Sequence, residues 1–296
     1  MDPFMGNLPA DNGPEGARVP DNLPEIVDAH VHLFPDELFE AIWTWFDNFA
    51  WPIRYKMRSE EVVEFMLSRG VQRIVGLHYA HRPGIARDLN LYMAGLCREY
   101  PEVIGSATVF PGESGTREIL KSAFDMGLSA VKLHAHVQYF SLDSPGMHEI
   151  YQVCAEHGKP LVMHVGKAPK NPVFPYKIDP DEICGAKHVE PVLRQYPELK
   201  VLVPHLGADE FDPFQRLTEQ YDNLWLDVAM AIADYLPVKT FPQLQEMRLD
   251  RILYGTDFPH LPYAWDRELK YICTLDLSEK DLQAVLGGNA LGLFSG

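Results

Sequence analysis

The segment IVDAHVHLF, residues 26–34, decides how the rest of the sequence is interpreted. Its short apolar run with β-branched residues is typical of a buried strand. Because side chains alternate along a strand, Asp28, His30 and His32 share one face. The opposite face carries the apolar residues Val27, Ala29, Val31 and Leu33. We expect the apolar set to face surrounding helices, so that both histidines point towards the inside of the fold.

Seven further runs of this kind follow, separated by amphipathic stretches of helical length. They are RIVGLHY (73–79), VIGSATVF (103–110), SAVKLHA (129–135), PLVMHVG (160–166), KVLVPHLG (200–207), LWLDVAM (224–230) and RILYGTDF (251–258). Alternating strand and helix patterns predict a parallel sheet. Eight such units, with no glycine-rich phosphate loop among them, favour an α/β fold of the (β/α)8 TIM-barrel type over an open doubly wound sheet.

Four of the intervening stretches carry clear helix signals. They are SEEVVEFMLSRG (59–70), IARDLNLYMAGLCREYP (85–101), GMHEIYQVCAEHGKP (146–160) and LSEKDLQAVLGGNA (277–290). We expect Ser59 and Ser278 to be N-caps, since a serine hydroxyl accepts a hydrogen bond from a free backbone N–H of the first turn. Gly70 marks the end of the first helix.

The segment between Phe34 and Met57 is longer than a usual connection between a strand and a helix. It carries the aromatic residues Trp43, Trp45, Phe46, Phe49 and Trp51. Two interpretations remain open for it. The segment forms either a helical lid over the barrel mouth or an aromatic helix packed on the side of the barrel.

The composition limits the domain count and the classes of partner. A chain of 296 residues with 46% hydrophobic residues can bury one large core, so we expect one domain. The net charge of −16 argues against a nucleic-acid surface, which needs clustered lysine and arginine. We therefore expect a small-molecule substrate, and a homo-oligomer is an open alternative to a monomer.

The sequence also bears on location. No apolar run approaches the roughly 20 residues that a membrane span requires, and the N-terminus lacks a signal-peptide pattern. The four cysteines form no CxxC pair, which favours a reducing compartment. We expect a cytoplasmic protein that does not bind membranes. Residues 1–22 are rich in Pro, Gly, Asn and Asp and contain a second methionine, Met5. We expect them to be disordered or an artificial leader, with residues 23–296 forming the barrel.

Further metal-ligand side chains lie near the ends of three other predicted strands. They are His164, His205 and Asp257, and alternation directs each of them inward. Barrel active sites lie at the carboxyl ends of the strands. Packed core histidines are the alternative, but burying so many polar groups without compensation would be costly. Imidazoles joined by a carboxylate suit zinc best, with manganese or iron(II) as alternatives.

These motifs resemble those of the amidohydrolase superfamily, in particular the amidohydrolase-related branch that includes aminocarboxymuconate semialdehyde decarboxylase. The resemblance extends from DAHVHLF through MHVG and HLG to YGTDFPH and GNALGLF. It implies that the metal ligands are His30, His32, His164 and Asp257. It also implies that His205 stays off the metal and acts, together with Asp257, as a catalytic residue.

Lys132 and His134 share the inward face of the fourth predicted strand. In members of the amidohydrolase superfamily that bind two metal ions, this position holds a carbamylated lysine that bridges the metals. The alternative is an unmodified Lys132 that pairs with Asp257 or with a substrate carboxylate. We expect one metal ion and an unmodified lysine, with Lys132 and His134 as bridging or substrate-binding candidates.

Arg54 is similar to an arginine that decarboxylase relatives use to hold a substrate carboxylate, so it is a further substrate-binding candidate. Five residues that follow the second and fourth predicted strands are expected in solvated loops: His78, His81, Arg82, His136 and Gln138. For His260, the FPH motif favours a structural role.

A divalent metal lowers the pKa of its water from about 15.7 to about 7 in favourable sites. The interpretation we favour is a metal-dependent hydrolase acting on a small amide, lactone, ester or cyclic imide. Asp257 would accept the water proton, His205 would hold the oxyanion, and Lys132 or an arginine would anchor an anionic group of the substrate. The alternatives are non-oxidative decarboxylation of an unsaturated or aromatic carboxylate, and a non-catalytic metal-binding barrel.

Overall fold

The structure is a computed structural model that describes residues 8–166, 174–238 and 240–295. Its eight parallel strands pair in sequence order. They are β1 (Val27–His32), β2 (Arg73–Leu77), β3 (Val103–Ala107), β4 (Ala130–His134), β5 (Leu161–His164), β6 (Val201–Val203), β7 (Leu224–Asp227) and β8 (Ile252–Leu253). Each lies within its predicted run.

The sheet closes between its last and first strands. The backbone N–H of His32 donates to the carbonyl of Phe258 at 2.7 Å, and that of Asp257 donates to the carbonyl of His30 at 2.9 Å. These hydrogen bonds bring the residues after β8 beside β1. The single-domain (β/α)8 barrel predicted from the sequence is therefore confirmed.

Twelve helices are present in the described part of the chain. They are α1 (Asp36–Phe49), α2 (Ser59–Ser68), α3 (Ala86–Glu99), α4 (Thr116–Asp125), α5 (Ala135–Gln138), α6 (Pro145–Glu156), α7 (Pro180–Ile183), α8 (Ala186–Gln195), α9 (Phe211–Gln220), α10 (Arg267–Ile272), α11 (Glu279–Gln283) and α12 (Asn289–Phe294). None of these helices has the length and apolar character needed to cross a membrane.

One predicted cap is present and the other is displaced. The Ser278 hydroxyl accepts from the backbone N–H of Asp281 at 3.1 Å, as expected for an N-cap. Ser59 instead is the first helical residue, and its hydroxyl donates to the carbonyl of Phe34 at 3.0 Å. Ser59 therefore ties α2 to the segment after β1, and the predicted cap at Ser59 was wrong.

The inside of the barrel is filled by one apolar cluster to which all eight strands contribute. It contains Val27, Ala29, Val75, Leu77, Ile104, Ala130, Val162, Leu202, Trp225 and Leu253. Val27 and Ala29 therefore lie inside, not against the helices as expected. The pairing of β1 with β2 shifts register between Asp28 and Val31, and such an irregularity changes which side a residue faces. His30 and His32 point inward because of this shift.

The C-terminal helix packs against the amino-terminal end of the barrel interior. Ala290, Leu293 and Phe294 of α12 belong to the same interior cluster. The Asn289 side-chain amide donates to the carbonyls of Leu249 and Ile252, each at 2.7 Å, at the start of β8. This helix thus covers the end of the barrel opposite the predicted site.

Helix α1 lies over the carboxyl ends of the strands. Leu38, Ile42, Trp45 and Phe49, spaced three or four residues apart, line the cavity at this end of the barrel, because such a spacing places side chains on one helix face. Of the two interpretations left open for this segment, the structure therefore supports the helical lid.

The described part of the N-terminal segment, residues 8–22, runs along the barrel surface. Leu8 N–H donates to the carbonyl of Ala50 at 3.0 Å. Glu15 forms ion pairs with Arg54 and Arg69, each at 3.2 Å, and Asp11 pairs with Arg267. The prediction excluded residues 1–22 from the fold, whereas these contacts join residues 8–22 to it. Residues 1–7 lie outside the described residues.

Candidate active site

Three side chains converge at the floor of the cavity. The Oδ1 atom of Asp257 lies 3.2 Å from Nε2 of His30 and 3.0 Å from Nε2 of His32. The two Nε2 atoms are 3.3 Å apart. His30 and His32 come from β1, and Asp257 follows β8, so barrel closure brings them together. The three residues predicted as ligands on these two strands therefore meet at one point.

Asp227, at the end of β7, determines which nitrogen of His30 carries the proton. Its Oδ2 atom lies 2.9 Å from Nδ1 of His30, and its Oδ1 atom accepts from the backbone N–H of His205 at 2.9 Å. A carboxylate only accepts hydrogen bonds, so Nδ1 of His30 is the donor and Nε2 presents a lone pair. Sequence reasoning missed Asp227, although the aspartate at the end of LWLD was the available signal.

His205 and His164 form a second pair beside this cluster. Nδ1 of His205 lies 2.8 Å from the carbonyl of Ala229, and Nε2 lies 3.2 Å from Nδ1 of His164. Because a carbonyl only accepts, Nδ1 of His205 carries a proton, and with a single proton on this ring Nε2 accepts from Nδ1 of His164. This arrangement leaves a lone pair on Nε2 of His164, which is buried without a hydrogen-bond partner.

The donor set fits a divalent metal ion. With ligand distances of about 2.0–2.2 Å, neighbouring ligand atoms of a tetrahedral ion lie roughly 3.4 Å apart, close to the spacing at the cavity floor. The lone pair of His30 faces a carboxylate oxygen at 3.2 Å, and two such acceptors repel each other unless a cation lies between them.

The ligand set has more than one arrangement. His30, His205 and Asp257 form one group whose ligand atoms lie within 4.8 Å of one another, and His32, Asp257 and His260 form another. His164, predicted as a ligand, belongs to neither group. It faces His205, which was expected to stay off the metal, so the geometry offers either histidine as the ligand from this side.

Two residues of the site have a strained backbone. His205 and Asp257 have φ values of 58° and 75°, in the left-handed region that residues other than glycine rarely adopt. Each such residue costs on the order of 1–3 kcal/mol, and such strain clusters at functional sites. The surrounding hydrogen bonds therefore hold both side chains at a conformational cost.

Burial keeps the imidazoles of His30, His32 and His164 neutral. It lowers the pKa of His30 and His164 well below the usual value, and that of His32 to a smaller extent. Burial alone would raise the pKa of Asp257, but the hydrogen bond from His32 and the nearby imidazoles bring it below the usual value. The floor thus presents neutral nitrogen ligands and an ionised carboxylate, the protonation states that metal binding requires.

Lys132 lies beneath the site within the barrel. Its side chain is fully buried, and Nζ has no hydrogen-bond partner. Burial lowers its pKa to about 8, while the carboxylates of Asp227 and Asp257 act in the opposite direction. Lys132 does not line the cavity, whereas His134 does, with its ring stacked 4.0 Å from that of His164.

The cavity above the floor has a volume of about 480 Å³ and a mainly apolar, aromatic wall. Besides the α1 face, its aromatic lining consists of Phe34, Phe46, Trp51, Tyr79, Tyr139, Phe174, Tyr176 and Phe211. The polar lining consists of Asp209, Asp257 and the histidines 32, 81, 134, 136, 164, 205 and 260. Pockets of this size and character hold small molecules.

The structure does not bring Arg54 to the cavity. Its guanidinium donates to the carbonyl of Gly13 at 2.9 Å and pairs with Glu15. The residues of the N-terminal segment take up the hydrogen bonds that a substrate carboxylate would need. Sequence analysis could not identify these partners because they lie about 40 residues away in the chain.

Three of the histidines and glutamines expected in solvated loops are buried. His78 is fully buried, Gln138 donates to the carbonyls of Ala80 and Val109, and His136 is hydrogen-bonded to the carbonyl of Gly166. The expectations for His136 and Gln138 were wrong because the short helix α5 folds back onto the barrel, and that for His78 was wrong because it directly follows β2 and is enclosed there. His81 and Arg82 are exposed, as expected. His260, expected to be structural, lines the cavity and stacks on His32 at 4.9 Å.

Asp28 is directed away from the site and supports the segment that carries Asp257. It accepts hydrogen bonds from the backbone N–H groups of His30 and Thr256 and from the hydroxyl of Thr256. These contacts link β1 to the residues immediately before Asp257. The pattern that placed Asp28 beside the histidines was therefore wrong in its face and did not reveal this role.

Comparisons with known proteins agree with this architecture. The model of the Amidohydrolase family matches residues 27–295. No protein of curated function matches the sequence. Among solved structures, an uncharacterized TIM-barrel protein from Bordetella bronchiseptica is similar, with 21% identity, a TM-score of 0.68, and coverage of 92% of this chain and 98% of that one.

Two similar structures are of proteins named for activities of different kinds. A 5-carboxyvanillate decarboxylase from Novosphingobium aromaticivorans, complexed with manganese, has 16% identity, a TM-score of 0.65 and full coverage of both chains. A probable 2-pyrone-4,6-dicarboxylic acid hydrolase from Acinetobacter baumannii has 16% identity and a TM-score of 0.62, covering 92% of this chain and 100% of that one. At these identities the likeness shows the fold alone.

Proposed function

The chain belongs to the amidohydrolase family, and from that premise we propose that it is a metal-dependent hydrolase of a small carbonyl substrate. The observation that carries this proposal is the convergence of His30, His32 and Asp257 within 3.0–3.3 Å beneath the cavity. Ordinary packing does not require two imidazoles and a carboxylate to meet there at a conformational cost.

His30, His32 and Asp257 would hold the metal, with His164 or His205 completing the set. The mixture of nitrogen and carboxylate ligands favours zinc, with manganese or iron(II) as alternatives. A divalent ion in this position supplies a water of lowered pKa and polarises a carbonyl oxygen. Lys132 is proposed to remain unmodified, since its aliphatic stem is enclosed within the barrel and Nζ does not reach the cavity lining.

Asp257 would accept the proton of the attacking water and deliver it to the leaving group. Its carboxylate is ionised and lies at the cavity floor. It would therefore be within reach of a water bound to a metal held by the same residues. Nδ1 of His205 donates to the carbonyl of Ala229. His205 would hold the tetrahedral oxyanion at Nε2 once a proton taken from solvent at that nitrogen replaces the hydrogen bond from His164.

Decarboxylation is a second candidate because the aromatic cavity would accommodate the ring of an aromatic carboxylate. Decarboxylation also requires a side chain that binds the carboxylate that is lost, or the substrate group next to that carboxylate. Arg54 is hydrogen-bonded to Gly13 and Glu15 instead, and the described lining contains no guanidinium. Hydrolysis needs no such group, so it is the function we favour.

The test is turnover in ¹⁸O-labelled water by the metal-loaded protein. A panel of lactones, cyclic amides, aryl esters and aromatic carboxylates is followed by mass spectrometry and by carbon dioxide release. We expect one labelled oxygen in the product acid and loss of turnover in Asp257→Asn, with Asp47→Asn as a surface control. Carbon dioxide release without label incorporation would replace hydrolysis by decarboxylation.

A further inference from the structure

The face of α1 that lines the cavity is apolar along its whole length. Leu38, Ile42, Trp45 and Phe49 all contribute to the lining, yet the structure leaves each of them only half-buried. Apolar surface left in contact with water gains roughly 25 cal/mol per Å² when a ligand covers it. A ligand that is itself apolar would therefore gain the most binding free energy from contact with this helix.

Aromatic edges and aliphatic groups complete the wall. The Phe174 ring lies edge-on to Trp45 and Phe49, with centroids 5.5 and 5.1 Å apart. Facing residues come from the segment after β7, which contributes Met230, Ala231, Leu236, Pro237 and Val238. Aromatic rings prefer edge-on or offset contacts of this kind. The wall is therefore suited to a planar ring inserted between α1 and the β7 segment.

The described lining residues include no lysine or arginine. Asp209 and Asp257 are its carboxylates, and its basic groups are imidazoles. Lys177 lies 5.5 Å from the ring of Tyr139, outside the lining. Among the described lining residues, a carboxylate on the body of a substrate would find no lysine or arginine to replace its hydration, which is unfavourable.

We propose that the cavity binds an uncharged carbonyl compound with an aromatic body of one or two rings, such as an aryl lactone, ester or amide. This inference rests on the proposed function and specifies its substrate class. The scissile carbonyl lies at the floor beside Asp257, and the ring lies between α1 and the β7 segment. It replaces the sequence-based expectation of an anionic substrate anchored by Lys132 or an arginine.

Binding is measured without turnover, by calorimetry on the full chain after chelator treatment. The probes are 2-naphthamide and 2-naphthoate, which share a ring system and differ in charge. Removing metal keeps the carboxylate from binding directly to an ion. We expect the amide to bind at least tenfold more tightly.

Two variants test the location of the ring. Trp45→Ala and Phe49→Ala should each weaken naphthamide binding about tenfold, while Leu91→Ala, an exposed apolar residue outside the cavity, should not change it. Thermal midpoints establish that each variant is folded. Equal or tighter binding of naphthoate, or naphthamide binding that neither variant weakens, would overturn the proposal.

A kinetic pair links binding to turnover in the metal-loaded protein. We expect kcat/KM for 2-naphthyl acetate to exceed that for 6-carboxy-2-naphthyl acetate at least tenfold. A reversed ratio would overturn the inference and leave hydrolysis intact. The protein could hydrolyse neither ester and no member of the panel, yet still bind naphthamide more tightly than naphthoate. That result would refute the proposed function and support the neutral aromatic site.

Discussion

The Asp227 carboxylate lies 2.9 Å from Nδ1 of His30 and holds that imidazole with Nε2 towards the cavity floor. Its other oxygen accepts the backbone N–H of His205. A single side chain on β7 therefore orients a candidate ligand on β1 and fixes the start of the segment that carries His205. Burial raises the pKa of Asp227 to about 6, but His205 and Lys132 oppose this effect.

Replacing Asp227 by Asn should weaken metal binding about 10–100-fold, the usual effect of losing a group that orients a ligand histidine. The amide removes the negative charge that favours a proton on Nδ1 of His30. Competition with a chromogenic chelator measures the change. The control is Asp222→Asn, an exposed carboxylate near the opposite end of β7. Unchanged metal affinity would show that Asp227 only supports the fold.

Replacing His205 by Asn should lower kcat about 10²–10³-fold with a smaller change in KM, because oxyanion contacts act mainly in the transition state. Steady-state kinetics on any hydrolysed ester gives both constants. His188→Asn, in α8 and outside the cavity lining, is the matched control. A rise in KM as large as the expected loss in kcat, with kcat itself unchanged, would assign His205 to substrate binding instead.

Lys132→Met should retain one metal ion per chain, because we propose that Lys132 is not a bridging ligand. Methionine has a similar shape but removes a buried ammonium that attracts the carboxylates of Asp227 and Asp257, so we expect a loss of stability in a variant that still folds. Elemental analysis and intact mass of the wild type and the variant are the measurements. Two metals per wild-type chain and an adduct of the mass of carbon dioxide would contradict the prediction.

Glu268 gives a pH dependence that is separate from the proposed metal ligands. It is fully buried, accepts hydrogen bonds from the Tyr263 hydroxyl and the Met230 N–H, and has its pKa raised by burial from 4.5 to about 8. The native state therefore keeps a proton that the unfolded chain loses. Its contribution is fully present below pH 4.5 and is lost as pH rises to about 8.

The corresponding variant is Glu268→Gln, which keeps the shape of the side chain and cannot ionise. Between pH 5 and 8, wild-type stability should fall relative to the variant by up to about 1.4 kcal/mol per pH unit. Urea denaturation at several pH values measures the difference. A constant difference between the two proteins across this range would mean that the pKa of Glu268 is not raised.

Arg54→Ala should affect stability and not catalysis. Loss of its partly buried hydrogen bonds and ion pair should cost about 1–2 kcal/mol. Limited proteolysis near Glu15 should become faster as the N-terminal segment loosens. By contrast, kcat/KM should stay within about threefold of the wild-type value, which is a smaller change than the loss of one substrate hydrogen bond would cause. Loss of activity only towards carboxylated substrates would return Arg54 to the active site.

The strand pattern was sufficient to predict the barrel, because every βα unit carries its own local signal. The positions of His30, His32 and Asp257 followed from barrel closure, which brings the first and last strands together. Alternation failed at Asp28 because the register shift in β1 depends on pairing with β2. A single strand considered alone contains no information about such a shift.

The role of Asp227 and the location of Arg54 depended on contacts between distant parts of the chain. His30 and Asp227 are separated by 197 residues, and no local pattern connects them. The positive φ values at His205 and Asp257 likewise result from the tertiary environment, since neither residue prefers that conformation. Predictions from sequence were therefore best for elements and weakest for the partners of individual polar groups.

The packing of α12 against the barrel interior has a consequence for the order of events in a catalytic cycle. Because Leu293 and Phe294 cover the amino-terminal end, the described part of the chain leaves the α1 side as the route to the floor. Substrate and products must then use the same passage in opposite directions, and the last product to leave blocks the next substrate until it departs. Inhibition by an aromatic product should accordingly be competitive with substrate.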